Sequence, residues 1–283
     1  MKSAASINTS AKTLNVKGKL VDLSTPVVMG ILNVTPDSFF SGSRVTAEAE
    51  VLKQAEKMLS DGATFLDVGG YSSRPGAEDI SIDEERRRVI TAIKVIVKKF
   101  PGALISVDTF RGCVAREAVQ EGACVINDIS AGTFDPNMLE TVASLNVPYI
   151  AMHMRGNPQT MNSLTQYQNL ISEITDYFID KTDRLKSLGV NDIIIDPGFG
   201  FAKTIDQNFE LLTHLDYFKN LNRPILAGLS RKSMIWKTLG ITPEEALSGT
   251  TALNMTALLK GADILRVHDV KEAVQVIRLF TRL

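Results

Sequence analysis

Short apolar runs recur along the chain from residue 26 onward. Each is followed by a polar residue, a loop and a longer segment in which apolar residues lie three or four apart. The longer segments predict helices that bury one face, and the short runs, rich in Val and Ile, predict buried strands. The predicted strands are residues 27–32, 64–68, 104–107, 124–126, 148–152, 193–195, 224–227 and 264–267.

The predicted helices share a way of ending, with a glycine shortly before the next strand, at Gly62, Gly122, Gly189 and Gly261. Glycine suits this place because it adopts a left-handed conformation without steric cost. Eight strand–helix units within 283 residues favour an α/β fold, the (β/α)8 TIM barrel. An open doubly wound sheet would have fewer strands and a GxGxxG motif after the first, which this sequence lacks.

The N-terminal segment precedes the barrel pattern. Residues 14–23 alternate apolar and polar side chains around Lys17 and Gly18, which predicts a short β-hairpin. We assign residues 1–25 to an N-terminal tail and hairpin. We expect residues 1–283 to form a single domain, since barrels of this type occupy about 250 residues.

Composition narrows the class of partner. The 31 basic and 32 acidic residues give a formal net charge of -1 without a cluster of Lys and Arg, so we expect a small-molecule ligand and neither nucleic acid nor a membrane as partner. Cys113 and Cys124 lack metal-site spacing and are predicted to be packed thiols in a reducing compartment. No apolar run approaches the roughly 18 residues of a membrane span. We therefore expect a cytoplasmic protein.

The residues that close the predicted strands are site candidates, because active sites of such barrels lie at the carboxyl ends of the strands. They are strongly polar: Asn33, Asp67, Asp108, Asn127 with Asp128, His153, Asp196, Ser230, and Arg266 with His268.

Asp108, Asn127 and Asp196 close the third, fourth and sixth strands and should converge on the barrel mouth. Two carboxylates and a carboxamide make a poor zinc site but suit a flat ring that carries N–H donors. After Asp196, the segment PGFGF should form a tight loop that carries Phe199 and Phe201 beside the carboxylate, as a floor for such a ring. Two alternatives stay open: Asp196 caps the next helix, or the acids only anchor loops.

A second group of polar residues suits a phosphate. The segment SRKS, residues 230–233, opens a helix after the seventh strand, and Arg266 and His268 point the same way around the end of the eighth. Together with Asn33, which offers an oxygen to a hard cation such as Mg²⁺, they could bind a diphosphate.

Each of these residues also has an alternative role. The segment after Asn33 could be a plain turn, and His268 could be a general acid or a metal ligand. Lys232 could form a Schiff base, as in barrel aldolases, with the charge of Arg231 depressing its pKa.

Eight motifs, in order between residues 29 and 270, carry a resemblance to a known family. They are MGILNVTPDSF, DVGGYSSRPGA, ISVDT, INDISAG, MHMRGNP, DPGFGFAK, GLSRKSM and LRVHDV. Through these motifs, which span nearly the whole chain, the sequence resembles the dihydropteroate synthases, a family of pterin-binding barrels.

The resemblance implies the condensation of 6-hydroxymethyl-7,8-dihydropterin diphosphate with 4-aminobenzoate, giving 7,8-dihydropteroate and diphosphate in folate synthesis. It also implies Mg²⁺ as cofactor, a homodimer, and sulfonamides as inhibitors that compete with 4-aminobenzoate. Departure of diphosphate would leave positive charge on the pterin methylene, so the site must stabilise a cation beside an anion.

The resemblance also implies roles for individual residues. The pterin would be held by Asp108, Asn127, Met152, Asp196, Phe201 and Lys232. The diphosphate would be held by Asn33, Arg266 and His268, with Asn33 as the Mg²⁺ ligand. The 4-aminobenzoate would be bordered by Phe39, Ser73, Arg74, Pro75, Lys232 and Ser233. The catalytic residues would be Asp108, Lys232, Arg266 and His268.

The chain departs from the family's pattern in two loops, residues 35–46 and 69–81, which we expect to close over the site. Where the family commonly has SFSDGG, this chain has SFFSGS from residue 38, and Tyr71 and Ser73 replace the Glu and Thr of GESTRPG. Two other functions stay open. One is a methyltetrahydrofolate methyltransferase, which has a similar pterin-binding barrel without this basic set; the other is a pterin-binding paralogue without catalytic activity.

Overall fold

The N-terminal hairpin covers one end of the molecule. The structure, a computed structural model, describes residues 12–34, 44–72 and 79–283. It begins with the antiparallel strands Thr13–Val16 and Lys19–Asp22, which turn at Lys17 and Gly18, both at positive φ. The predicted hairpin is therefore confirmed. Its apolar side chains pack against the first residues of the barrel strands and close the amino-terminal end of the barrel.

All eight predicted strands are present in the barrel. Numbered from first to eighth, they are Val27–Asn33, Phe65–Gly69, Leu104–Asp108, Val125–Asp128, Tyr149–Met152, Ile193–Asp196, Leu226–Ala227 and Ile264–Val267. The first six pair in parallel with their neighbours in chain order, and the eighth pairs with the first and the seventh. The ring closes where Ile195 bridges Ile225 and its N–H donates to Pro224 O at 3.0 Å. The (β/α)8 barrel is confirmed.

The helices form the outer layer. Those of the described residues are Arg44–Ser60, Ile82–Lys99, Gly112–Gln120, Met138–Leu145, Leu170–Ser187, Ile205–Thr213, Ser233–Leu239, Leu247–Leu259 and Val270–Phe280. Short 3-10 helices occupy Met161–Ser163 and Leu215–Leu221. Two large apolar clusters fill the space between strands and helices. Gly62, Gly122, Gly189 and Gly261 have φ of +101°, +115°, +86° and +98°, as expected for helix ends.

The two cysteines differ. Cys124 is buried just before the fourth strand, whereas Cys113 is exposed, so the prediction of two packed thiols is wrong for Cys113. In the helix Gly112–Gln120 the buried stripe runs through Gly112, Val114, Ala115 and Ala118, which turns Cys113 to solvent. Among the described residues, no helix is both long and apolar enough to span a bilayer.

Asp263 joins three strands at the amino-terminal end of the barrel. Its carboxylate accepts the Ile225 N–H at 2.8 Å, and both carboxylate oxygens lie 2.8 Å from Lys12 Nζ. Its backbone carbonyl accepts the Val27 N–H at 2.9 Å. The carboxylate therefore holds the start of the seventh strand, which has only the two residues Leu226–Ala227.

Asp263→Ala is expected to lower the free energy of unfolding by about 2 kcal/mol, because the buried Ile225 N–H loses its acceptor. Urea denaturation measures the difference. Lys12→Ala is the control: its ammonium is partly exposed, so loss of the ion pair should cost about 0–1 kcal/mol. Equal losses for the two variants would contradict this account.

Candidate functional site

Parallel pairing aligns the carboxyl ends of the first four strands in one row. Asn33 is paired with Gly69, Gly69 with Asp108, and Asp108 with Asn127. Asn33 and Asp108 are half-buried, and Asn127 is buried. Three predicted site residues therefore share one level of the barrel mouth.

Arg266 reaches from the eighth strand to two carboxylates. Its Nε donates to Asp67 Oδ2 and its Nη2 donates to Asp108 Oδ2, both at 2.6 Å. Asn127 Nδ2 donates to the same Asp67 oxygen at 2.9 Å. We call these four residues the Arg266 cluster. Two bonds use only two of the five N–H donors of a guanidinium.

Asp67 is a site residue that sequence reasoning missed. It was one of the polar strand ends but not one of the residues predicted to bind, and it lies at the centre of the Arg266 cluster. It is 1% exposed, and its Oδ1 lacks a hydrogen-bond partner among the residues that the structure describes. The signal was present in the sequence, because a lone acid inside the buried strand FLDVG requires a partner.

Burial and charge oppose each other at Asp108. Burial raises the pKa of Asp108 to about 7, and the neighbouring Arg266 charge limits that rise. Burial also disfavours the charged form of Arg266, but Asp67 and Asp108 outweigh it and raise the pKa of the guanidinium. The mouth therefore holds a permanent cation between two acids.

The floor loop, residues 196–203, follows the sixth strand. Asp196 is buried, and its Oδ1 accepts the Gly198 N–H at 2.8 Å. Gly198 and Gly200 have φ of +74° and +80°, which agrees with the predicted tight loop. A Cβ on Gly198 would lie 2.0 Å from the carbonyl oxygen of His153, so only glycine fits there.

Asp196 does not cap a helix. The helix Ile205–Thr213 is capped by Thr204 in a capping box with Gln207, so the capping alternative is wrong. Burial raises the pKa of Asp196, and the Gly198 N–H opposes the rise together with the cations Lys232, Arg266 and Lys203. Three cations thus favour the charged form of this buried carboxylate.

Phe201 and Met152 lie in one apolar cluster below the mouth, with Ile129, Met154, Met161 and Ala202. Lys232 Nζ lies 4.4 Å from the centroid of the Phe201 ring, a cation–π contact. Phe199 was expected beside the carboxylate too. It is buried instead in the core between barrel and helices, because the loop turns at Gly200, which lies between the two phenylalanines at positive φ, and their rings therefore point to different sides.

The segment after the seventh strand brings Ser230 to His268. Ser230 Oγ lies 3.0 Å from His268 Nδ1 and accepts the His268 N–H at 3.2 Å. Arg231 donates to both carboxylate oxygens of Asp269, at 2.9 and 2.8 Å, and is therefore neutralised rather than available to activate Lys232. This removes the basis of the aldolase alternative.

Lys232 and Ser233 lie at the start of the helix Ser233–Leu239. Lys232 is the N-cap residue, in an extended conformation, and Ser233 is the first helical residue and half-buried. Of the two, Lys232 reaches the floor loop, where its Nζ contacts the Phe201 ring.

Two arginines bind the described ends of the loop at residues 69–81. Arg88 Nη1 donates to Gly70 O at 3.1 Å, and Arg111 Nη2 donates to Ile80 O at 2.7 Å. Arg111 is in turn fixed by the buried Glu85, whose carboxylate accepts from its Nη1 at 2.8 Å.

Tyr71, which replaces the family's Glu, lies at this loop's root. Its ring packs edge to face on Phe110, with centroids 5.0 Å apart, and the Arg111 guanidinium lies 5.6 Å from its centroid. Four predicted residues at the 4-aminobenzoate border lie outside the described residues: Phe39, Ser73, Arg74 and Pro75.

The side chains at the barrel mouth can be tested for whether they fit a Mg²⁺ ion. Among residues 12–34, 44–72 and 79–283, no three His, Cys, Asp or Glu side chains are grouped to hold a metal. Asn33 contributes one neutral oxygen. Because Mg²⁺ commonly keeps waters and binds one or two protein oxygens plus substrate phosphates, these residues fit an ion that arrives with a diphosphate.

Comparison with known proteins agrees with this geometry. The family model described as "Pterin binding enzyme" matches residues 29–268. The dihydropteroate synthase of Escherichia coli (strain K12) is 44% identical over 268 residues, which is 94% of this chain and 94% of that protein. The chain belongs to the dihydropteroate synthase family of pterin-binding enzymes.

Solved structures of dihydropteroate synthases share the fold. That of Yersinia pestis, in complex with a sulfonamide drug, has a TM-score of 0.89 and 39% identity, covering 95% of this chain and 98% of that one. That of Xanthomonas albilineans, with 4-aminobenzoic acid, also has a TM-score of 0.89, with 38% identity over 96% and 98% of the two chains. Fold and family membership are thus established together.

Gly198→Ala is expected to reduce pterin affinity more than tenfold and the free energy of unfolding by about 2 kcal/mol, because the new Cβ would meet a backbone oxygen and the positive φ adds strain. Calorimetry with 6-hydroxymethylpterin and urea denaturation measure the two effects. Gly18→Ala is the matched control: its φ is +76°, but nothing lies within 4 Å of its Cβ. It should show a loss of stability of about 1 kcal/mol and normal pterin affinity. Normal affinity in Gly198→Ala would contradict the assigned floor loop.

Proposed function

We propose that the protein is a transferase that condenses 6-hydroxymethyl-7,8-dihydropterin diphosphate with 4-aminobenzoate, giving 7,8-dihydropteroate and diphosphate. The observation that carries the proposal is the position of Asp196 and Phe201 beside Lys232, within one barrel mouth that also holds Arg266 and His268. Family membership supports it, and so does the 4-aminobenzoic acid bound in the Xanthomonas albilineans relative.

The pterin lies on the floor loop. The Asp196 carboxylate accepts two N–H donors from the aminopyrimidine edge, a bidentate and charge-assisted contact. Phe201 and Met152 give the ring an apolar surface. Asn127 and Asp108 approach from the fourth and third strands at the opposite side of the mouth.

The diphosphate lies between Asn33, Arg266 and His268. Arg266 retains N–H donors beyond the two that its carboxylates accept, and a guanidinium suits a bidentate phosphate contact. His268 is held in place by Ser230, whose Oγ lies 3.0 Å from its Nδ1. Asn33 would hold Mg²⁺, which would supply positive charge to the departing diphosphate.

The chain's own charges then account for the chemistry. When the C–O bond to the diphosphate breaks, Asp196 and Asp108 stabilise the positive charge that develops on the pterin, and Arg266 with His268 stabilises the anion that leaves. Lys232, stacked on Phe201, lies between the two substrates and orients them. The amine of 4-aminobenzoate attacks the methylene carbon and loses a proton; an aniline nitrogen requires no strong base.

The second substrate is bordered by Lys232 and Ser233 among the described residues, and by Phe39, Ser73, Arg74 and Pro75 beyond them. Sulfonamides would compete with 4-aminobenzoate for this place, as the sulfonamide complex of the Yersinia pestis relative suggests.

Four predictions made from the sequence remain proposals. They are a single domain of residues 1–283, a homodimer, Mg²⁺ as cofactor and a cytoplasmic location. The family match over residues 29–268 supports the first, and the donor set around Asn33 supports the third.

Incubation of the purified protein with the pterin diphosphate, 4-aminobenzoate and Mg²⁺ is expected to give 7,8-dihydropteroate and one equivalent of diphosphate, measured by chromatography and a coupled diphosphate assay. Protein that binds pterin without forming product under saturating substrates would instead be the non-catalytic paralogue.

Two substitutions separate the pterin and diphosphate contacts. Asp196→Ala should abolish binding of 6-hydroxymethylpterin and of its diphosphate ester alike, because the ring loses its charged acceptor. Arg266→Ala should chiefly weaken the ester, roughly a hundredfold, since a charged hydrogen bond contributes about 1.5–3 kcal/mol. Calorimetry with both ligands gives the two ratios, and wild-type pterin affinity in Asp196→Ala would overturn the assignment.

A further inference from the structure

Lys203, the last residue of the floor loop, is a buried cation with neutral partners. It is 9% exposed, and its Nζ lies 3.0 Å from Gly198 O, 3.1 Å from Phe201 O and 3.1 Å from His153 Nδ1. A buried ammonium usually has a carboxylate partner, because desolvation disfavours its charge. Three neutral acceptors satisfy its protons, and within residues 12–34, 44–72 and 79–283 no carboxylate pairs with its charge at contact distance.

The Gly198 peptide unit links this cation to Asp196. The Gly198 N–H donates to Asp196 Oδ1 at 2.8 Å, and the Gly198 carbonyl accepts from Lys203 at 3.0 Å. The Phe201 carbonyl, on the same ammonium, belongs to the residue whose ring lies under Lys232. Lys203 therefore contacts the backbone behind two groups that face the pterin.

The hydrogen bond between Lys203 and His153 persists whether or not the lysine is charged. Burial lowers the pKa of Lys203 to about 7, and burial together with the Lys203 charge lowers the pKa of His153 to about 2, so the imidazole is neutral. When Lys203 is charged it donates to Nδ1. When it is neutral, the other imidazole tautomer donates to the amine.

The groups that face this pair come from several elements. Asp196, Lys232 and Arg155 act on Lys203 through their charges, and Tyr167 and Tyr177 pack on His153, with Glu173 paired to Arg155. Of these charges, Asp196 favours the charged form of Lys203, while Lys232 and Arg155 disfavour it.

We propose that Lys203 is a positioning residue of the pterin site, which acts through Asp196: its charge, placed behind the Gly198 peptide, keeps the Asp196 carboxylate ionised in a buried mouth. The inference rests on the proposed function only in that Asp196 binds the pterin ring.

The direction of the effect on pterin binding follows from the protonation of Lys203 and of Asp196. Below pH 7, Lys203 is mostly charged and holds the pKa of Asp196 down. Without that charge, burial would raise the pKa of Asp196 further, and protonated carboxyl would accept the pterin donors poorly. Above about pH 8, Lys203 is itself mostly neutral, so its charge contributes little.

Lys203→Met removes the charge and keeps the length of the side chain. We compare the Kd of 6-hydroxymethylpterin for variant and wild type at pH 6 and pH 8.5 by calorimetry. The ratio of the two Kd values is expected to be at least about threefold larger at pH 6 than at pH 8.5, because loss of the Lys203 charge leaves Asp196 more protonated at the lower pH. Protonation of the ligand affects both proteins equally and therefore cancels in the ratio of variant to wild-type Kd. Any increase in Kd that remains at pH 8.5 reports the hydrogen bonds that the variant has lost.

Lys181→Met is the matched control. Lys181 is another partly buried lysine, whose Nζ lies 3.2 Å from Thr133 Oγ1 and 5.6 Å from the Tyr177 ring centroid. Among the described residues these contacts lie away from the floor loop, and the Kd ratio of Lys181→Met should be near one at both pH values. A ratio for Lys203→Met that is near one, or that is the same at both pH values, overturns the proposal.

A measurement on the unaltered protein covers the case in which Lys203→Met does not fold. In protein labelled with ¹³C at lysine Cε, one lysine should titrate near neutrality, well apart from ordinary lysines near pH 10.4. Saturation with 6-hydroxymethylpterin should raise that midpoint, because a charge that favours binding is favoured by binding in return. If every lysine titrates above pH 9, or if the midpoint does not rise, the proposal fails. Neither test requires product formation, so an inactive but pterin-binding protein leaves both intact.

Discussion

The arrangement of this site depends on one constraint: eight parallel strands end at the same side of a closed barrel, and their polar residues must share a space with little water. A buried charge there requires an opposite charge or several hydrogen bonds. Arg266 meets that need for Asp67 and Asp108. Asp128 meets it differently, with hydrogen bonds from Tyr149, Ser130 and Gly132, and is an anchor for its own loop.

The same constraint explains why the polar groups of the site hold one another. The two 2.6 Å bonds of Arg266 hold its guanidinium on one side of the mouth, and Asn127 is held through the Asp67 oxygen that it shares. On the other side, Gly198 fixes Asp196. A site whose polar groups already hold one another requires little rearrangement when it binds a flat ring, which favours both affinity and rate.

The sequence predicted what depends on local pattern and strand order. Eight apolar runs, four glycine helix ends and the convergence of Asp108, Asn127 and Asp196 follow from those alone. It could not reveal partners across the barrel. Arg266 pairs with Asp67 over 199 positions of the chain, and Arg231 with Asp269 over 38, and no spacing rule connects either pair. Cys113 was misjudged because it lies next to the buried stripe of its helix, and Phe199 because the turn at Gly200 separates its direction from that of Phe201.

The charges of the mouth bear on the divalent cation of the proposed reaction. The three acids Asp67, Asp108 and Asp196 lie near the three cations Arg266, Lys203 and Lys232, so these six groups together are close to neutral when all are ionised. A neutral pterin ring leaves that balance unchanged. In the proposed reaction a diphosphate would add several negative charges beside Asp108, close to Arg266 and His268, and an ion such as Mg²⁺ would offset them. The protein would then contribute a single neutral oxygen, from Asn33, because a further carboxylate would restore the repulsion that the ion would remove.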